Sequence, residues 1–529
     1  MGIGFDVHLF LYPHSNYAEL AASVPVNHSF FVILNLFQDL KKGAICYWQL
    51  SFTLYHNQKI VIRKSICFIF AENFVKMTFG TTICAISTAS GTGAIGIVRV
   101  SGADSFAIAK NIVVRKSIFD AESPRSMLFT GIVDEKGTLL DEAMVVKFVS
   151  PASFTGEDMV EIYCHGSEYI EQKILAALTH YGAVLARPGE FTQRAFLNGK
   201  MDLSQSEAVA DLISSSSAES HRVAMSQLKG QVSSKIGELR GRMLELTSLL
   251  ELELDFSEED VEFADRIKLV ALIDEICAET EKLIRSFEYG NAVKSGVPVA
   301  IVGEPNAGKS TLLNAILHED RAIVSSVAGT TRDTIEEEFV LDGIRFRFID
   351  TAGIRNADNE VEELGIQRTY SKLKSARIVV LVLDASADKQ HNDEIVASIE
   401  KEISDETKLI VVLNKSDICD AEYGYGESLL ISALEGSNVD ALCRRFVEYV
   451  SSLKTETSDV VITNVRHVAS LTATRDLLQS ARRSIGEGVP SDFIAQDLRE
   501  ANYHLGEITG AISTDEVLGS IFSKFCIGK

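Results

Sequence analysis

Gly303-Glu304-Pro305-Asn306-Ala307-Gly308-Lys309-Ser310 stands between the apolar run Val299-Ala300-Ile301-Val302 and the helix-forming stretch Thr311-Leu312-Leu313-Asn314-Ala315-Ile316. A strand, a glycine-rich loop and a helix in that order are what a phosphate loop requires. The glycines let backbone N–H groups around Asn306, Ala307 and Gly308 turn inward about a β-phosphate. The helix start at Ser310 and Thr311 adds positive potential, and Lys309 supplies a point charge. The Ser310 hydroxyl is the candidate Mg²⁺ ligand. A chance glycine-rich turn is the alternative, and three further segments in the right order argue against it.

Asp350-Thr351-Ala352-Gly353 follows the strand-like Phe346-Arg347-Phe348-Ile349. An aspartate there holds Mg²⁺ through water, and the glycine backbone reaches a γ-phosphate. Asn414-Lys415-Ser416-Asp417 follows Leu409-Ile410-Val411-Val412-Leu413. The Asp417 carboxylate can accept hydrogen bonds from the guanine N1 and 2-amino groups. Adenine lacks those donors and would leave the acceptors unpaired, so ATP is rejected. Ser432-Ala433, after Leu429-Leu430-Ile431, fits a backbone contact to the guanine oxygen. The four segments together read as a GTPase.

The position after Gly353, where Ras-like enzymes carry a water-orienting glutamine, is Ile354. Another group must position the water, and the acidic stretch from Ile354 to Glu363 offers carboxylates. Upstream, Ser325-Ser326-Val327-Ala328-Gly329-Thr330-Thr331-Arg332-Asp333 precedes the second strand. Thr331 is the candidate second Mg²⁺ hydroxyl. Oxygens of Ser325, Val327 and Thr330, with Asn306, can cage a K⁺ ion that neutralises charge developing in the transition state.

The terminus Phe525-Cys526-Ile527-Gly528-Lys529, the loop Gly329-Thr330-Thr331-Arg332-Asp333 and the phosphate loop resemble the tRNA modification GTPase family MnmE (TrmE). The resemblance runs from about Met77 to Lys529. It includes Ser90 to Gly102, Phe154-Thr155-Gly156-Glu157-Asp158, Cys164-His165-Gly166, Arg187 to Phe191 and Ala195 to Leu203. The family implies a K⁺-stimulated, cytoplasmic GTPase working with the FAD-dependent partner MnmG, the FAD belonging to that partner alone. Together they add an aminomethyl or carboxymethylaminomethyl group to carbon 5 of a wobble uridine in certain tRNAs. The implied one-carbon donor is 5,10-methylenetetrahydrofolate, with 5-formyltetrahydrofolate as its analogue. Implied folate-binding positions are Arg99, Glu161, Lys200 and Lys529; a carboxylate suits pterin donors, and cations suit the glutamate tail or formyl oxygen. The family pattern V-E-x-x-G, met here at Val361-Glu362-Glu363-Leu364-Gly365, implies Glu362 as the catalytic acid/base, acting on the water indirectly. The family also implies a homodimer through the N-terminal module and a heterotetramer with MnmG.

Cys526 keeps three readings: a buried structural thiol, a prenylation box that Gly528-Lys529 fits badly, or the catalytic thiol that the resemblance implies.

The fold expected is multidomain: an α+β N-terminal folate-binding module, an all-α helical domain and an inserted α/β P-loop (Ras-like) GTPase domain. Expected boundaries are an extension at 1–76, the folate-binding and dimerisation module at 77–196, helical parts at 197–294 and 455–529, and the GTPase domain at 295–454. Residues 1–76 lie outside the resemblance and contain the only tryptophan, Trp48. They read as upstream sequence included by a mis-assigned start, with Met77 the true start, or as an extra domain. A helix is expected around Glu168 to Tyr181, and helices from about Ser204 to Tyr289 carry a stripe of Ile236, Leu239, Met243, Leu246 and Leu250. Ser257-Glu258-Glu259-Asp260 reads as a turn. Five strand–helix units forming a parallel sheet are expected from Val297 to about Lys454. Ser513-Thr514-Asp515-Glu516 reads as a capping box opening a helix over Val517 to Phe522.

The chain has 529 residues, 46% of them hydrophobic, with no apolar run long enough to span a membrane. Its eight cysteines form no C-x-x-C pair, which fits a reducing compartment. A net charge of −23 has the wrong sign for a stand-alone nucleic-acid binder. Contact with tRNA must then come from local basic residues such as Arg187, Arg194 and Lys200, or from the partner. The rivals are a ribosome-assembly GTPase of the Era or Der type and a membrane-remodelling GTPase with a helical stalk. Neither accounts for the N-terminal module or the terminal F-C-I-G-K.

Overall fold

The computed structural model describes residues 80–255, 266–318, 323–324, 337–349, 373, 375–404, 406–418, 424–454, 460–523 and 525–528, together with the backbone of strands between His8 and Ile60. The chain divides into two compact units, residues 1–187 with Gly528, and residues 188–527 with Lys529.

In the first unit, β1 (His8–Leu11), β2 (Tyr17–Val24), β3 (Phe30–Phe37), β4 (Trp48–Leu54) and β5 (Lys59–Ile60) pair in sequence order as an antiparallel meander. A second sheet contains β6 (Ile83–Ile86), β7 (Ile95–Ser101), β8 (Met127–Val133), β9 (Leu139–Phe148), β10 (Met159–His165) and β11 (Val184–Leu185), in the order β11-β6-β7-β10-β9-β8. Only the β11–β6 pairing is parallel. Alternate strand residues point to opposite faces. Val98, Val100, Val160 and Ile162 therefore bury together with Ile112, Ile174 and Leu178 of the helices Ser105–Ile112 and Glu168–His180. Arg99 and Glu161 have the opposite parity, and the antiparallel register sets them directly across from one another on neighbouring strands.

The second unit carries two architectures. Helices Leu203–Ser214, Ala218–Leu228, Gln231–Asp255, Arg266–Ser295, Val465–Gly486 and Ser491–Thr509 form an all-α body. The expected stripe is buried: Ile236, Leu239, Met243, Leu246 and Leu250 pack with Leu269, Ile273, Ile276, Leu471, Leu478, Leu498 and Leu505. Helices from both ends of the insert thus share one core. Truncating such a leucine costs about 2–5 kcal/mol. Sequence-local caps start the helices. Asp202 accepts from the Gln205 N–H in a reciprocal capping box, and Ser217 pairs likewise with Ser220.

Between these helices sits a seven-stranded sheet, β13-β14-β15-β12-β16-β17-β18. Its strands are β12 (Val297–Val302), β13 (Ile323–Val324), β14 (Glu337–Leu341), β15 (Ile344–Phe348), β16 (Ile378–Asp384), β17 (Lys408–Asn414) and β18 (Leu429–Leu430). The expectation of a wholly parallel sheet built of strand–helix units is corrected here. β15, β12, β16, β17 and β18 run parallel, whereas β14 returns antiparallel on β15 and β13 antiparallel on β14. The cause is the Asp342-Gly343 turn, with φ 47° and 78°. Two left-handed residues make a tight hairpin whose twist suits antiparallel strands. β16 is buried on both faces, as continuous Ile378-Val379-Val380-Leu381-Val382-Leu383 requires of a central parallel strand.

Two smaller expectations also change. The last helix is Asp515–Phe522, and its N-cap is Thr514, whose hydroxyl accepts from the Val517 N–H at 3.4 Å. Val517 occupies the third helical position, so there is a single cap and no capping box. Arg194 is only 1% exposed and pairs with Glu190 at 3.0 Å one turn earlier, so it cannot contribute to a surface for tRNA. Arg187 and Lys200 are exposed. Ser257 to Asp260 lie outside the described residues.

Candidate functional site

The phosphate loop has the backbone its glycines permit. Gly303 sits at φ 149°, where a Cβ would stand 2.2 Å from the Val382 carbonyl oxygen. Gly308 sits at φ 97°, where a Cβ would stand 2.2 Å from Asn414 Nδ2. Both neighbours lie at the ends of the central parallel strands, so the loop is pressed against the sheet and only glycine fits. Asn306 is also left-handed, at φ 64°. Lys309 Nζ donates to the carbonyls of Gly303 at 2.9 Å and Glu304 at 2.7 Å. Its ammonium is thereby held over the loop, with Ser310 and Thr311 in the first turn of the helix Lys309–Leu317.

The expected guanine segments meet this loop. Asn414, 3% exposed, donates through Nδ2 to the Ala307 carbonyl at 2.8 Å and accepts the Ala433 N–H at 2.9 Å. It braces the phosphate loop and the segment after β18 against each other. The Ala433 N–H that the sequence assigns to the guanine oxygen is bonded to Asn414 in this arrangement. Ser432 Oγ donates to Asp417 Oδ1 at 2.7 Å, fixing the carboxylate that the sequence assigns to the guanine edge. Lys415 is left-handed, at φ 73°, and its Nζ donates to Asp384 Oδ2 at 2.6 Å. Burial acts to raise the Asp384 pKa, but hydrogen bonds from Lys415 and Ser386 outweigh it and hold the carboxyl below its usual value.

Sequence reasoning missed Asp384 and the role of the Ser432 hydroxyl. The available signal was a lone aspartate ending an apolar strand. Ser325, Ser326, Val327, Ala328, Gly329, Thr330, Thr331, Asp350, Thr351, Ala352, Gly353, Glu362 and Lys529 lie outside the described residues, so the K⁺ cage, the second Mg²⁺ ligand and the acid/base rest on sequence alone.

In the first unit, Arg99 grips Glu161 Oε1 through Nε at 2.9 Å and Nη2 at 2.7 Å. Tyr163, two residues along the same face, donates its hydroxyl to Glu161 Oε2 at 2.7 Å. Burial first, and then the Glu161 carboxylate, push the Tyr163 phenol up to about 12. The Arg99 guanidinium also lies 5.3 Å from the centre of the Phe154 ring. Its Nη1 reaches the Gly528 carbonyl at 3.4 Å, which Ser87 Oγ approaches at 3.2 Å. Gly528 has φ 89°, and a Cβ there would fall 2.1 Å from the Ile86 carbonyl oxygen, so the backbone fits this close only as glycine. A carboxylate fixed by a guanidinium and a phenol, beside an aromatic face, suits a planar heterocycle carrying N–H donors. Cys526 is exposed, and its carbonyl accepts the Gly189 N–H at 3.3 Å. Exposure argues against the buried-structural reading of this thiol. Lys200 belongs to the second unit, in the loop closing the helix Glu190–Leu197.

Among the described residues no helix is long and apolar enough to cross a membrane. Family models for the MnmE helical domain and for the GTP-binding protein TrmE N-terminus match residues 203–526 and 82–200. The first spans the GTPase insert together with the helices on both sides of it. A tRNA modification GTPase MnmE from Cytophaga hutchinsonii is 46% identical over 85% of this chain and 98% of its own length. One of the same name from Parabacteroides distasonis is 46% identical over 85% of this chain and all of its own. Among solved structures, the G domain of the T. maritima FeoB iron transporter is 25% identical over 29% of this chain and 98% of its own, at a TM-score of 0.21, too low to bear on the fold. With nearly the full length of both relatives aligned and a family model covering more than half of its residues, the chain belongs to the MnmE family of tRNA modification GTPases.

Proposed function

We propose that this protein is a K⁺-stimulated GTPase which, with an MnmG-type FAD-dependent partner, adds an aminomethyl or carboxymethylaminomethyl group to carbon 5 of a tRNA wobble uridine. The observation that carries the nucleotide half is the braced loop set. Asn414 ties the phosphate loop to the segment bearing Ser432, and Ser432 orients Asp417. Asp417 then reads guanine through its two ring-edge donors, and Lys309 turns from its loop carbonyls to the phosphates. Ser310 and Thr331 would hold Mg²⁺, while Asn306, Ser325, Val327 and Thr330 would hold K⁺; both cations supply charge neutralisation at the phosphates. Glu362 orients the attacking water indirectly.

The one-carbon half rests on the Arg99–Glu161–Tyr163 cluster. Glu161 accepts two bonds on Oε1 and one on Oε2, leaving Oε2 able to take one more donor. A pterin N–H is such a donor. The family resemblance assigns Lys200 and Lys529 to the formyl oxygen or glutamate tail, and Cys526 to the substrate uridine. The reading further takes the protein as cytoplasmic, a homodimer through the 77–196 module and a heterotetramer with its partner. The remaining boundaries follow as helical parts at 197–294 and 455–529 around a GTPase domain at 295–454.

The test is mass analysis of wobble nucleosides in cells lacking this chain, alongside GTP turnover by the purified protein. Loss of the carbon-5 substituent together with GTP-selective hydrolysis is expected; unaltered anticodon nucleosides would overturn the modification half.

A further inference from the structure

We propose that Asp384 is a positioning residue for guanine recognition, setting the pose of the Asp417 carboxylate through Lys415. This rests on the guanine-binding reading above and deepens it. The register pairs Asp384 with Asn414 at the end of neighbouring parallel strands, and the Ala385 N–H bonds the Asn414 carbonyl at 2.9 Å. From that shared end the chain enters the turn Lys415–Ile418, with Lys415 left-handed at φ 73°. A residue with a Cβ enters that region at a cost of about 1–2 kcal/mol, so something must hold it there. The tether is the Lys415 ammonium on Asp384 Oδ2 at 2.6 Å.

Asp384 is itself immobilised. Its Oδ1 accepts the Ser386 N–H at 2.9 Å and the Ser386 hydroxyl at 2.6 Å. Its carbonyl accepts Asn392 Nδ2 at 3.0 Å, and Asn392 is 1% exposed. Two residues beyond Lys415, Asp417 is held from the other side by Ser432 at 2.7 Å. The turn is therefore clamped at both ends, by Asp384 and by Ser432. Releasing the first clamp lets the turn relax and swings the Asp417 carboxylate away from the guanine 2-amino and N1 groups.

The Asp384–Lys415 pair is about 30% exposed on each side, so its worth lies between that of a surface and a buried pair. Asp384→Asn should raise the GDP dissociation constant about tenfold. Inosine diphosphate lacks the 2-amino donor, so its affinity should fall less and the GDP-to-IDP preference should shrink. Asp384→Glu, which keeps the charge, should recover part of the preference. Equal weakening of GDP and IDP, or an unchanged preference, would overturn the proposal. Failure of the wild-type chain to prefer GDP over ADP would instead overturn the underlying guanine reading.

Discussion

Glu207, on the helix Leu203–Ser214, accepts His467 Nε2 at 2.7 Å and Arg466 Nη2 at 2.9 Å on one oxygen, and Arg466 Nε at 3.0 Å on the other. Arg466 also donates to the carbonyls of Glu507 at 2.6 Å and Ile508 at 3.0 Å. Three helices meet at the Glu207–Arg466 pair, two of them beyond the insert. Its side chain is 9% exposed and that of His467 is 1%. Burial alone would raise the Glu207 pKa, but hydrogen bonds and charge from His467 and Arg466 prevail and hold it at about 2. A folded-state value below the unfolded one stabilises the protein above the unfolded value, near 4.5, and the stabilisation is lost as the pH falls toward 2. The shift corresponds to about 3 kcal/mol at neutral pH. Glu207→Ala removes it, strands the buried His467 ring and leaves Arg466 on the Glu507 and Ile508 carbonyls alone, a loss on the order of 3–5 kcal/mol. The assay is amide hydrogen exchange in the helices Leu203–Ser214 and Val465–Gly486, which reads local opening without assuming that so large a chain unfolds in one step. Protection at pH 7 should fall by about two orders of magnitude or more, and the difference from wild type should narrow below pH 4. A change under about threefold would show that the helical halves are held by apolar packing alone and would refute the reasoning.

Gly308→Ala should cost about a hundredfold or more in GDP affinity, measured by nucleotide titration, because its methyl would strike Asn414 Nδ2 at 2.2 Å and break the brace to Ala307. Tyr163→Phe deletes one hydrogen bond to Glu161 and should weaken 5-formyltetrahydrofolate binding about fivefold, read by calorimetry, with GTP turnover unaffected. Replacing K⁺ by Na⁺ should slow GTP hydrolysis at least about tenfold if Asn306 and the loop from Ser325 to Thr331 cage the ion. Glu362→Ala should collapse turnover with GDP binding intact, so equal turnover of variant and wild type would count against that assignment.

The phosphate loop, the Asn414 to Asp417 segment and the helical stripe were legible in the chain because each is a local pattern. A loop's glycines, a strand's apolar run and a period of 3.6 residues lie within a dozen positions of one another. Asp342-Gly343 was equally local, a two-residue hairpin signal that the reading of uniform strand–helix units passed over, and it turned an edge of the sheet antiparallel. Arg194 shows the opposite limit. A charged residue reads as surface by default, and its burial beside Glu190 depended on how a whole helix packs.

Folding alone decided the rest, because the partners stand far apart in the chain. Arg99 meets Glu161 across 62 residues through an antiparallel register, and Asn414, at a strand end, meets Ala307 of the phosphate loop across 107. Arg466 meets Glu207 across 259, over an entire inserted domain. Hydrogen bonds and ion pairs act over a few ångströms, so linear order names the groups with the right chemistry, and packing selects which of them come within reach.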